Sequence, residues 1–195
     1  FIALAKKAFS MTDRPLVLHS SSPDSLEAAA VEFKGAGFVL ASAAPDTIKR
    51  LRSAASESGH VLAVTAPDVN GLTACTAELR DAGFKDILLQ PQTDSTAEHF
   101  QTNAIMRRAA LKDRIKSAGY PLLRFLPEET DVTATAIEAA TEILKYGGVC
   151  VLPFFDAALL ATLMTLRLNI YTDPQKPIQV EPDIYPIGEP GKESP

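Results

Sequence analysis

The chain has 195 residues, 46% of them hydrophobic and 22% charged, with 19 basic residues against 24 acidic ones and a formal charge of −5. That is the composition of a globular chain with one sizeable core, too short for three domains. It excludes a membrane span, because no apolar run nears the roughly 20 residues one needs, and its acidic balance argues against a nucleic-acid-binding domain.

In chain order, an amphipathic helix over residues 2–9 comes first, with no strand before it. Six short runs rich in Val, Ile and Leu follow, at residues 16–18, 38–41, 61–64, 87–89, 122–125 and 149–152. A polar turn and a segment of helical periodicity follow each run. Helix starts are predicted at Ser22-Pro23-Asp24, Pro45-Asp46-Thr47, Ala66-Pro67-Asp68 and Thr130-Asp131. There a side-chain oxygen or a proline satisfies or excuses the orphan N–H groups. Stops are predicted at Gly35 and Gly37, Gly59, Gly83, Gly119 and Gly147-Gly148. Short apolar strands alternating with helices imply a parallel sheet covered on both faces. Two architectures satisfy this: an open doubly wound sheet, and a TIM-like (β/α)8 barrel lacking its first units. The strandless first helix and the initial Phe1 favour the truncated barrel, six β/α units over residues 1–172.

Residues 173–195 are a different object. They hold six of the 14 prolines, five acidic residues and two basic ones, and so carry −3 of the −5. Such a segment reads as an extended linker or strap.

Motifs for common chemistries are missing. Gly35 and Gly37 have the first spacing of a dinucleotide loop, but position 40 is Leu40, and a helix stop explains the pair. His19, His60 and His99 have no metal-ligand spacing, and His60, beside Gly59, is expected to be a surface turn residue. Cys75 and Cys150 read as packed small hydrophobes. Two cysteines cannot form a disulfide scaffold or hold an iron–sulfur cluster, and they suit a reducing, cytoplasmic setting. On a barrel's C-terminal face, strand ends would gather His19-Ser20-Ser21, Ser42, Thr65, Gln90-Pro91-Gln92-Thr93 and Pro127-Glu128-Glu129. His19 could bind a ligand or act as a base, but with no partner acid identifiable a cap or loop role stands ahead. Glu128 and Glu129 are expected to lead into the next helix. Residues 105–116 read as a helix with five basic residues and one acidic, two basic stripes flanking an apolar seam of Ile105, Leu111 and Ile115. That face is either solvated or made for an anionic partner.

The last third carries a resemblance. Leu166-Arg167 and the run Asn169-Ile170-Tyr171-Thr172-Asp173-Pro174-Gln175-Lys176-Pro177-Ile178-Gln179-Val180 closely resemble the large (gamma) subunit of the corrinoid/iron–sulfur protein of the CO dehydrogenase/acetyl-CoA synthase pathway. Weaker agreement covers Arg14-Pro15-Leu16-Val17-Leu18, Ile105-Met106-Arg107-Arg108-Ala109-Ala110, Gly119-Tyr120-Pro121 and Lys145-Tyr146-Gly147-Gly148. The resemblance implies an N-terminal [4Fe–4S] domain, a central TIM-like barrel and a C-terminal corrinoid domain. This chain would be the barrel plus the start of the linker, with Asn169, Tyr171, Asp173, Pro174, Gln175 and Pro177 as linker residues. It implies a methyl group passed from methyltetrahydrofolate or methyltetrahydropterin to acetyl-CoA synthase as methyl–cobalt. The implied partners are a homologous small subunit, a methyltransferase and acetyl-CoA synthase, with no nucleic acid and no membrane. Corrinoid and [4Fe–4S] cofactors would sit outside this chain, which is expected not to be catalytic alone. Where the family tends to end the strand that is fourth in this chain with Asp-Pro-Gly, this chain has Gln90-Pro91-Gln92, which weakens the expectation that the barrel itself binds a pterin. The competing expectation is a pterin-binding methyltransferase barrel with a pocket at His19, Gln90 and Gln92.

Overall fold

The computed structural model describes residues 1–12, 14–128 and 131–170. The linker residues Tyr171, Asp173, Pro174, Gln175 and Pro177, the whole of 173–195, and Glu129 and Thr130 lie outside the described residues.

Helix α1 (Ile2–Thr12) precedes six strand–helix units: β1 (Val17–His19), α2 (Pro23–Glu32), β2 (Val39–Ala43), α3 (Ile48–Ser58), β3 (Val61–Ala66), α4 (Val69–Asp81), β4 (Ile87–Pro91), α5 (Thr96–Leu111), β5 (Leu122–Phe125), α6 (Val132–Leu144), β6 (Gly147–Val151) and α7 (Ala157–Ile170). All strands pair in parallel, in the order β1-β2-β3-β4-β5-β6. A doubly wound sheet reverses its strand order at a switch point. This sheet never does, so the fold is the open wall of a barrel.

The predicted caps explain most helix starts. Ser22, Asp68 and Asp131 accept from the backbone N–H of Ser25, Gly71 and Ala134 at 3.3, 2.7 and 2.8 Å. Thr47 makes no such bond. The start of α5 is an addition: Ser95 accepts from the Glu98 N–H at 3.2 Å, while Glu98 accepts from the Asp94 N–H at 2.8 Å. Gly35, Gly37, Gly59 and Gly83 all have positive φ, as left-handed stops require. Gly147 and Gly148 serve a different need. A Cβ on Gly148 would lie 2.8 Å from both the Leu122 carbonyl oxygen and Pro121 Cβ, so only glycine lets β6 close against β5.

Successive strand residues face opposite sides. Leu18, Leu40, Leu62, Ile87, Leu89 and Leu122 pack under the helices, whereas Val17, Val39, Ala41, Ala63, Leu88 and Leu123 fill the inner face. In a flat sheet the four strand spacings between β1 and β5 would separate them by about 19 Å. Yet the rings of His19 and Phe125 sit 5.0 Å apart, centroid to centroid. The sheet therefore curls strongly, and the inner face is concave. Among the described residues, β1 and β6 each have one strand neighbour.

Two expectations fail. His60 is buried, at 2% exposure. Its Nδ1 accepts from the Phe38 N–H at 3.1 Å, so the ring proton sits on Nε2 and donates to the Ala30 carbonyl at 3.0 Å. A neutral imidazole thus pins α2 to the starts of β2 and β3. The helix expected over 105–116 ends at Leu111, with Arg114 at φ 56° and a short 3-10 turn at Lys116–Ala118. Its apolar seam is no seam, since Ile105, Leu111 and Ile115 are all exposed.

Candidate functional site

Gln90 and Pro91 end β4, and Gln92 to Ser95 carry the chain over the top of the wall into α5. With Arg124 and Phe125 of β5 and Glu138 of α6, these residues enclose an open cleft of about 550 Å³ at the C-terminal face. Gln90 and Gln92 both line it, so the structure brings together two of the three expected pocket residues. His19 does not line it: it is exposed at the end of β1 and packs on Phe125, which does. Thr65, in register opposite Gln90, buries a hydroxyl with no hydrogen-bond partner among the described residues. Asn169, expected in the linker, lies in the last turn of α7, and Glu128 is exposed in a turn before α6.

Behind the cleft lies a polar cluster that spacing arguments did not find. Arg124 Nη1 donates to Glu142 Oε1 at 3.0 Å, and its Nη2 donates to Glu138 Oε2 at 2.7 Å and to Thr96 Oγ1 at 3.3 Å. Asn103 Nδ2 donates to Glu142 Oε2 at 3.1 Å. His99 sits 3.2 Å from Glu142 Oε2 through Nε2, and 3.2 Å from the Thr93 hydroxyl through Nδ1. With the proton on Nε2, His99 donates to Glu142 and accepts from Thr93. Burial alone would raise the Glu142 carboxyl, but the hydrogen bonds from His99, Arg124 and Asn103 outweigh it. The carboxyl is held below its ordinary value of 4.5.

Hydroxyl, imidazole and carboxylate therefore stand in line, as in a nucleophilic relay. Glu142, however, is already opposed by Arg124, so its charge is spent on holding α5, β5 and α6 together. The cluster also anchors Thr93 through His99, and Thr96 at the start of α5 through Arg124. Its sequence signal was available: His99, Asn103 and Met106 share the buried face of α5, and polar groups on an apolar face imply partners.

The donors present do not fit a [4Fe–4S] cluster, which is held by four thiolates. Cys75 is buried in α4 and Cys150 half-buried in β6, and among the described residues no three His, Cys, Asp or Glu side chains are grouped to hold a metal. Burial, with the Glu142 charge, pushes the Cys150 thiol up to about 11, so it is no ready nucleophile.

All of residues 1–195 match the family described as CO dehydrogenase/acetyl-CoA synthase delta subunit, CdhD. The chain belongs to that family. Among its relatives, the acetyl-CoA decarbonylase/synthase complex subunit gamma of Archaeoglobus fulgidus is 35% identical over 136 residues, covering 64% of this chain and 29% of the relative. The corrinoid/iron–sulfur protein large subunit of Moorella thermoacetica is 34% identical over 130 residues, 65% of this chain and 29% of that protein. Subunit gamma 1 of Methanosarcina mazei is 28% identical and covers all of this chain but 44% of its own length. This CdhD-family chain thus spans less than half the length of each. No helix among its described residues is long and apolar enough to cross a membrane.

Proposed function

We propose that this CdhD-family chain is the central barrel of a corrinoid/iron–sulfur methyl carrier, a scaffold rather than a catalyst. In that role it holds a corrinoid domain and a [4Fe–4S] domain, supplied by the rest of a longer polypeptide, in reach of their partners. The carried group is a methyl passing from methyltetrahydrofolate or methyltetrahydropterin, through a methyltransferase, to acetyl-CoA synthase as methyl–cobalt. The reaction belongs to the cofactor, and the protein's task is holding and shielding it. A homologous small subunit pairs with the barrel, and the setting is cytoplasmic.

The observation that carries this reading is the filled inner face. A catalytic barrel needs ionisable groups aimed at a substrate where its strands end. Here Ala41, Ala63, Leu88 and Leu123 pack together on the concave side, joined by Val17, Val39, Phe125 and Val151. Of the charged groups that line the cleft, Arg124 and Glu138 bond each other at 2.7 Å, and Asp94 stands exposed on the turn before α5. The open edges of β1 and β6 support completion of an eight-stranded barrel by two further units. So does α7, apolar nearly all round, with Leu160, Met164 and Leu168 exposed.

The cleft supports a second reading, a barrel that binds a pterin itself through Gln90 and Gln92. Titration calorimetry of the chain with methyltetrahydrofolate separates the two. The scaffold reading expects no saturable heat, and a micromolar dissociation constant lost in Gln90→Ala would replace it with the second.

A further inference from the structure

We propose that the chain's own acidic segment, residues 171–195, docks in a groove bordered by a basic stretch of the chain, on the N-terminal face of the barrel wall, opposite the cleft. The groove has a volume of about 440 Å³ and lies between the end of α5, the turn before β5 and the turn before β6. Met106, Ala110 and Ile143 line it with Tyr120 and Tyr146, and its lip includes Ile170, the last described residue. The segment therefore starts at the groove.

Charge supports the same occupant. Arg107, which lines the groove and lies over the Tyr146 ring at 5.7 Å, is followed in the sequence by Arg108, Lys112, Arg114 and Lys116, from the end of α5 to the 3-10 turn before β5. All five are exposed, and none has a carboxylate partner among the described residues. Asp113 is the only acid between residues 105 and 118. The segment brings Asp173, Glu181, Asp183, Glu189 and Glu193 against Lys176 and Lys192. At about 3.1 Å per residue for a proline-rich extended chain, about ten residues past Ile170 span roughly 30 Å, enough to follow such a stretch. Tyr146 offers a flat apolar face, 51% exposed, of the kind on which prolines and rings stack. This inference does not depend on the methyl-carrier reading.

Carbodiimide joins a lysine to a carboxylate only where the two touch. In the full chain at micromolar concentration, bonds within one molecule are expected from Lys112 or Lys116 to Asp173, Glu181 or Asp183. Their yield should exceed that from Lys34 or Lys85 to the same acids at least fivefold, and should fall at least fivefold in Arg107→Glu/Arg108→Glu. The Lys6–Glu32 ion pair, at 2.6 Å, reports that the reagent has worked. Three results would overturn the proposal: coupling of Lys6 to Glu32 without coupling to the segment, even coupling across all lysines, or coupling found only in linked dimers, which would assign the segment to a second copy.

Discussion

Glu142 is the side chain on which three elements converge, and its removal gives the sharpest stability prediction. Glu142→Ala orphans Arg124 Nη1, His99 Nε2 and Asn103 Nδ2, three donors in a region where Glu142 is 2% exposed. Arg124 keeps Glu138 and Thr96. Breaking a buried pair from one side costs about 3–5 kcal/mol. For a chain of this length each kcal/mol lowers the melting temperature by about 2–4 °C, so a fall of about 6–20 °C is expected. Glu138→Ala removes one bond from a partly exposed carboxylate and should cost about 1 kcal/mol. Thermal unfolding followed by far-ultraviolet circular dichroism reads both. The pH dependence has a definite sign. Because the folded Glu142 carboxyl lies below its ordinary 4.5, its contribution is complete above that value and is lost as pH falls through the lower, folded one. Wild type and Glu142→Ala should therefore converge in acid. A loss no larger than that of Glu138→Ala, or a gap that persists unchanged into acid, would refute the reasoning.

His60→Ala orphans the Phe38 N–H and the Ala30 carbonyl and should cost about 2–4 kcal/mol in urea unfolding, where a surface residue would cost almost nothing. Gly148→Ala forces a methyl to 2.8 Å from the Leu122 carbonyl, and a loss of about 1–3 kcal/mol is expected by the same assay; no loss would mean that β6 can back away from β5. Cys150, with its thiol near 11, should react with iodoacetamide about 20-fold more slowly than an ordinary cysteine peptide at neutral pH, and equal rates would contradict its burial. Deleting residues 173–195 should leave the circular dichroism of the barrel wall unchanged, and loss of helix signal would remove the distinction between body and linker.

The wall of the barrel was legible because its signals are local. Each of the six apolar runs became a strand, shifted by no more than two residues at either end. The differences have local causes too. β4 runs on to Pro91, which can end a strand but not donate from its middle, and β6 begins two residues early because Gly147 and Gly148 allow close approach. The polar interior was not legible, because its partners are remote in the chain. His60 bonds residues 22 and 30 positions away, and His99 meets Glu142 across 43. Spacing rules for metals and triads look for neighbours, and they passed over both histidines. Of the expected pocket, Gln90 and Gln92 share the cleft because strand ends are easy to place. His19 rests instead on Phe125, a contact that exists only because the sheet curls.

In the proposed function the barrel holds the methyl-transfer machinery without performing the transfer. The direct measurement is methyl transfer from methyltetrahydrofolate to cob(I)amide, followed by the visible spectrum of the corrinoid, in the complete protein carrying His19→Ala/Gln90→Ala/Gln92→Ala with its methyltransferase. For a scaffold the expected rate is within about twofold of wild type. A hundredfold loss, about 2.7 kcal/mol of transition-state stabilisation, would place chemistry in the barrel mouth and contradict it.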